Sequence, residues 1–329
     1  MNSLRALCNV KNVLLVVAIG LVSATILFDT ENSLAAQKFR LLSRDDIKDE
    51  MTRLLEDKGA TAAWKFLKDI YLVNGRLQDS NIDPHTLAHM VGAAFYKEAK
   101  LGGLSMCDDA FTGGCFHGVI EQMVTEEGIK NSERIGNVCS TLVDAVSCAH
   151  GAGHGLNEAS GGDLAEALRS CDTFPENIAS DCAEGVIMDN SWSWSDVNIE
   201  KDPWAVCRSV STRYQVACAS GVGNYFSEHK DGRRFTYTPS VTGTVCEAAP
   251  TAEMVSKCFL RLGQHIARTA SGNLETMNSL CKQLSEAQKQ NCLKNSIRFA
   301  LSAKYIDPRF SKEDLCRRYF NNPLASCPL

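Results

Sequence analysis

The sequence predicts an all-α fold: a disulfide-stapled solenoid of helical hairpins (αα repeats) behind an N-terminal transmembrane anchor. Three observations predict it. Fourteen of the 15 cysteines fall into seven consecutive pairs, and the second members recur at steps of 33 to 40 residues. A period in the thirties marks stacked helical hairpins. Apolar residues at three- and four-residue spacing surround these pairs, as helices require. Only 8 of 329 residues are Pro, about half the usual frequency, which leans towards helix.

Composition narrows the class further. With 44% hydrophobic and 22% charged residues, wholesale disorder is excluded. A net charge of −5 excludes general nucleic-acid binding, which needs a basic face. Fifteen cysteines are too many for a reduced cytosolic chain without metal clusters.

Residues 1–12 read as a cytoplasmic tail carrying Arg5 and Lys11, and Val13–Phe28 is an uncharged apolar run followed by Asp29 and Glu31. Basic before and acidic after keeps the N-terminus in the cytoplasm and exports the rest. The run is short for a span and long for a signal-peptide core. Ser33-Leu34-Ala35 is a poor cleavage site, set behind two acids. The expectation is an uncleaved single-pass signal anchor at 13–28; cleavage, giving a secreted protein, is the alternative. Residues 29–42 form a juxtamembrane linker, and 43–329 form one extracytoplasmic repeat domain. Cys8 is the only cysteine before the run, and the even count after it fits an oxidising compartment.

Ser43 and Asp46 fit the start of a helix ending near Lys58-Gly59, and Thr61–Val73 reads as a second, stopped by Asn74-Gly75. Asp83-Pro84 opens a helix to about Lys100. The cysteine pairs follow: Cys107/Cys115, Cys139/Cys148, Cys171/Cys182, Cys207/Cys218, Cys246/Cys258, Cys281/Cys292 and Cys316/Cys327. In each unit one Cys sits near the end of helix A and its partner early in helix B, so their Cα atoms come within disulfide reach. Metal ligation by these cysteines finds no CxxC to support it. Three residues after the second Cys stand Gly118, Gly151, Gly185 and Gly221, then Arg261 and Asn295 in later units. Glycine inside a helix costs about 1 kcal/mol, so a recurring one implies close approach of a neighbouring helix or ligand. Glu228 to Thr244 reads as a surface insertion.

The histidines carry the chemical signal. Five of seven lie between residues 85 and 154. His85/His89 and His150/His154 are i,i+4 pairs, and His117 has Glu121 four residues on. Counted from the second Cys, position +2 reads His117, His150, Glu184, Ser220 and position +6 reads Glu121, His154, Met188, Asn224. His85 and His89 take the same two places when Asp83 stands for the Cys. Equivalent positions on stacked helices face one surface. His85, His89, His117, Glu121, His150 and His154, with Glu184 at the edge, are therefore candidate ligands for zinc, iron or copper. They exceed the ligand set of one zinc, which points to two metals or to one metal with acid/base partners. Two other readings stand beside this: noncovalent haem held by His pairs, and histidines that only hydrogen-bond neighbouring helices and order the stack. His229 and His265, being isolated, read as ordinary solvated or core residues.

No complete catalytic signature is present. HEXXH and G-x-S-x-G are absent, and the Gly151–Gly155 stretch lacks the strand and Lys-Ser/Thr of a phosphate loop. Ser191-Trp192-Ser193-Trp194 reads as a loop packed on its own hairpin. Whether the protein is an enzyme is left open.

The run Cys148-Ala149-His150-Gly151-Ala152-Gly153-His154-Gly155, followed by Cys182-Ala183-Glu184-Gly185-Val186-Ile187-Met188-Asp189-Asn190, is similar to motifs of uncharacterised exported prokaryotic proteins, over roughly residues 85–225. No activity comes with that resemblance. The architecture loosely resembles Sel1-like cysteine-rich repeat proteins, although their consensus and Cys separation are not reproduced. That resemblance implies an all-α solenoid with a surface for a protein or peptide partner. Two functions follow: a membrane-anchored extracytoplasmic protein with a His-rich metal groove, or a non-catalytic stapled scaffold for a protein or cell-envelope partner.

Overall fold

The computed structural model describes residues 34, 36–78, 80–194, 197–227, 237–306 and 310–320. The tail and anchor at 1–28, Cys8, His229 and Cys327 lie outside the described residues. Among the described residues no helix is long and apolar enough to cross a membrane.

Helix α1 (Arg44–Tyr71) starts at Ser43, whose hydroxyl accepts from the Asp46 N–H, and it breaks at Gly59 (φ 77°). Its second half stops at Tyr71, short of the expected Val73. Leu72–Val73 (β1) and Arg76–Leu77 (β2) instead form a two-stranded antiparallel hairpin. Asn74 (φ 53°) and Gly75 (φ 73°) supply the two left-handed residues that such a turn needs. Helix α2 (Pro84–Ala99) is capped by Asp83, with Pro at its first turn.

Thereafter the chain alternates short outer and longer inner helices. The inner ones are α3 (Gly114–Glu127), α5 (Ala145–Ala159), α7 (Glu176–Asn190), α10 (Gln215–Ser227), α12 (Ala252–Thr269) and α14 (Glu286–Ser302). The outer ones are α4 (Ser132–Ser140), α6 (Leu164–Cys171), α9 (Ala205–Ser209), α11 (Pro239–Glu247), α13 (Leu274–Cys281) and α15 (Lys312–Phe320), with a short extra turn at α8 (Val197–Lys201). Helix α11 corrects the expected insertion at 228–244: Thr238 caps it and Pro239 opens it, so its last residues belong to a repeat. From α2 to α14 each inner helix packs on the next. The apolar core lies between inner and outer helices, where Val119, Met123, Ile135, Cys139 and Ile178 are buried.

Six disulfides join sequence neighbours: Cys107–Cys115, Cys139–Cys148, Cys171–Cys182, Cys207–Cys218, Cys246–Cys258 and Cys281–Cys292. Their Cα–Cα separations run from 5.3 to 5.8 Å. The seventh pair, Cys316 with Cys327, ends outside the described residues. Each bridge ties an outer helix, or the turn before α3, to the inner helix that follows it, and none ties one repeat to the next.

The expected placement, end of helix A to start of helix B, needs correction at four of these bridges. Cys115 does lie in the first turn of α3, but its partner Cys107 ends no α-helix; it follows a tight 3-10 stretch at Lys100–Met106. Cys182, Cys258 and Cys292 are each the seventh residue of their helices, α7, α12 and α14, and so lie nearly two turns in. In α12 the start is set by Thr251, which caps the helix one residue before Ala252. Cys207 and Cys218 keep the expected placement, with a 3-10 turn at Thr212–Tyr214 between them. Cys115, Cys218 and Cys258 are all fully buried with their sulfurs bonded, so they offer no thiolate to a metal.

The stack also differs from an open solenoid, because its end returns to its beginning. The Leu77 N–H donates to the Lys304 carbonyl at 2.8 Å, and the Arg76 Nε–H donates to the Tyr305 carbonyl at 3.2 Å. At the start of α2, Asp83 lies 3.6 Å from Arg268 at the end of α12. Lys257 on α12 reaches past α10 to Glu184 on α7, at 2.6 Å. The inner helices thus surround a central volume lined by polar side chains.

Candidate metal centre

The five clustered histidines sit in that central volume. Their rings come from α2 (His85, His89), α3 (His117) and α5 (His150, His154). Centroids are 4.7 Å apart for His85–His89, 5.2 Å for His85–His117, 5.4 Å for His89–His117, 5.5 Å for His117–His150 and 4.9 Å for His150–His154. His154 lies 6.1 Å from His89 and 6.3 Å from His117, which closes the group.

Glycine permits this closeness. A methyl group at Gly118 would overlap the carbonyl of His89, and one at Gly185 would overlap that of His150. The recurring glycine therefore lets neighbouring inner helices touch backbone to backbone, which brings their +2 and +6 side chains together. From α12 onward the register is filled instead. Arg261 reaches inward and donates from Nε and Nη2 to Asn224 Oδ1, at 3.0 and 2.8 Å.

The hydrogen bonds around His85 and His89 decide where their protons lie. His85 Nδ1 is 2.7 Å from the Phe111 carbonyl, which only accepts, so Nδ1 is the protonated nitrogen. Thr112 Oγ1 lies beside it at 3.0 Å. His89 Nδ1 is 2.7 Å from Glu121 Oε2 and donates to that carboxylate. When both rings are neutral their lone pairs lie on Nε2, and these two atoms face each other at 3.0 Å with no proton between them. Two ligands on one tetrahedral zinc stand about 3.3 Å apart, given Zn–N near 2.0–2.1 Å. Ligand atoms of His85, His89 and His117 all fall within 4.8 Å of one another.

Burial reinforces the neutral state. It lowers the pKa of His85 to about 3, with repulsion from His89 next in weight. It lowers that of His150 to about 4, against the pull of Glu184. His117 and His154 are held well below the usual value, first by burial and then by their neighbours. All four are neutral, and therefore able to ligate, at neutral pH. His117 Nδ1 and His154 Nε2 are buried without a hydrogen-bond partner.

Two carboxylates named from sequence do not point at the cluster as ligands. Glu121 stands behind His89 as an acceptor. Glu184 has other partners: its Oε1 accepts from Ser220 Oγ at 2.9 Å and its Oε2 pairs with Lys257, while its charge acts on His150. His265 is buried in α12 with Nε2 3.2 Å from Thr269 Oγ1, in keeping with a structural role. Trp194 is likewise buried, donating to Asn190 Oδ1 at 2.9 Å.

Sequence reasoning missed Phe111 and Thr112. Both have positive φ, 55° and 54°, just before Gly113 at 76°. Left-handed backbone at a bulky residue is strained; here it aims the Phe111 carbonyl at His85. Only the Gly113-Gly114 doublet hinted at an unusual turn there.

Among known proteins, no family model, curated relative or solved structure matches this chain.

Proposed function

We propose that this protein is a membrane-anchored, extracytoplasmic repeat protein that binds a transition-metal ion, with zinc, copper and iron as the candidates, through His85, His89 and His117. The observation that carries this reading is the facing pair of Nε2 lone pairs at 3.0 Å, each ring held from behind by an oxygen acceptor. A carboxylate or carbonyl behind a histidine is the usual second support of a metal ligand, fixing tautomer and orientation. Without a cation the two lone pairs of the neutral rings repel, and burial disfavours a proton on His85. Three imidazoles leave a zinc ion one open position, the arrangement in which bound water is activated. Haem is disfavoured, because rings packed at 4.7 to 5.5 Å leave no slot between them for a macrocycle.

The test is elemental analysis of protein purified without a metal-affinity tag, before and after incubation with Zn²⁺. The wild-type chain should carry metal, and His85→Ala/His89→Ala should carry less. A wild-type chain that takes up none would leave the stapled-scaffold reading standing. A double variant with unchanged content would place the metal elsewhere.

A further inference from the structure

We infer that the cluster is a two-ion centre: a second metal ion binds at His150 and His154, on the α5 side of His117. The second ion rests on the reading of the first and adds His150 and His154, which the first site does not use.

The first observation is a surplus. His85, His89 and His117 already supply the three protein ligands of one open zinc site. His150 and His154 remain, one helical turn apart on α5, with rings 4.9 Å from each other. Residues four apart on one helix face can grip a single ion. His117 stands between the two pairs, 5.2 and 5.4 Å from His85 and His89, and 5.5 and 6.3 Å from His150 and His154.

The second observation is the pair of nitrogens without partners. His154 Nε2 and His117 Nδ1 are both buried and unbonded. An unsatisfied buried polar atom is costly, so two in one cluster point to a ligand. His117 belongs to the first site but His154 does not, so an ion held by His85, His89 and His117 leaves the His154 nitrogen unaccounted for.

The third observation is charge. Two divalent ions in a buried site need anions nearby. Glu121 lies against His89. Asp189, which accepts from Asn157 at 2.6 Å, feels both Glu121 and His89. Glu158, one turn beyond His154, has its carboxyl pKa raised by burial and then by Glu121 and Asp189. These three carboxylates act on one another, and Glu184 adds a fourth charge felt by His150. The carboxyls crowd one another as they stand, and cations among the rings would relieve that crowding.

The test uses the full chain, stripped with chelator and titrated with Zn²⁺, the bound metal being counted after gel filtration. Wild type should bind two equivalents, and His150→Ala/His154→Ala should bind one. A wild type that saturates at one equivalent overturns the second ion and leaves the first site intact; saturation at none overturns both. Cu²⁺ supplies a readout that needs no variant. Past the first equivalent, the paramagnetic resonance signal per copper should fall through coupling between neighbouring ions. Two uncoupled coppers would place the second ion outside the cluster and overturn the inference.

Discussion

Glu121 would govern the proposed centre without touching its ion. It accepts the His89 Nδ1 proton and so turns the Nε2 lone pair inward. The amide of Glu121→Gln keeps the size but accepts more weakly and loses the charge. The cost of such a change behind a ligand is typically about 10- to 100-fold in metal affinity. That loss should appear in competition against a zinc-chelating dye, with the circular dichroism unchanged. An unaltered affinity would mean that Glu121 does not orient a ligand. Phe111 plays the matching part for His85, but through its main chain, so no side-chain replacement isolates it.

At the scale of the element, the repeated unit is an outer helix stapled to the inner helix that follows. The staple closes a loop of 8 to 12 residues. Loop-closure entropy then gives about 2–3 kcal/mol for each bridge. Replacing Cys281 and Cys292 with Ser together should lower unfolding free energy by about that amount, read from urea titration. These two tie α13 to α14, neither of which carries a histidine, so metal content should hold. A loss of metal would show that the closing repeats brace the centre.

Over the whole molecule, acid is the expected weakness. His85, His117, His150 and His154 are all depressed in the folded chain. Below about pH 6.5 the unfolded chain takes up protons that the folded chain refuses, so each such histidine disfavours folding by up to about 1.4 kcal/mol per pH unit. Above that pH both states are neutral and the effect vanishes. The metal-free protein should therefore lose stability steadily from about pH 6.5 towards about pH 4, as urea midpoints at several pH values would show. A flat profile would mean that the histidines are solvated.

Much of this architecture was legible in the sequence. The cysteine period marked the hairpins, and register placed the five histidines on equivalent faces of three inner helices. Four things were hidden, each for a physical reason. The meeting of Leu77 with Lys304 depends on a small rotation per repeat summed around the stack, which no local pattern encodes. The turn of Glu184 towards Lys257 joins residues 73 apart in sequence. The depth of Cys182, Cys258 and Cys292 follows from helix starts six residues upstream rather than from anything beside the cysteines. The short span of α11 was lost among Gly, Arg and Thr residues that read as loop, although Thr238-Pro239 is a helix start.

The nearest-neighbour linkage of the cysteines also bears on how the chain is made. Fourteen cysteines allow about 135,000 complete pairings by the same counting that gives 105 for eight. In the six bridges described, every cysteine is joined to the one that stands next in line. Among the cysteines of these bridges, a chain that emerges from its N-terminus shows each thiol its correct mate before any competitor from the set has appeared. Vectorial oxidation alone then selects the native set. What the nascent chain requires is an oxidant, with little need for an isomerase to repair its choices.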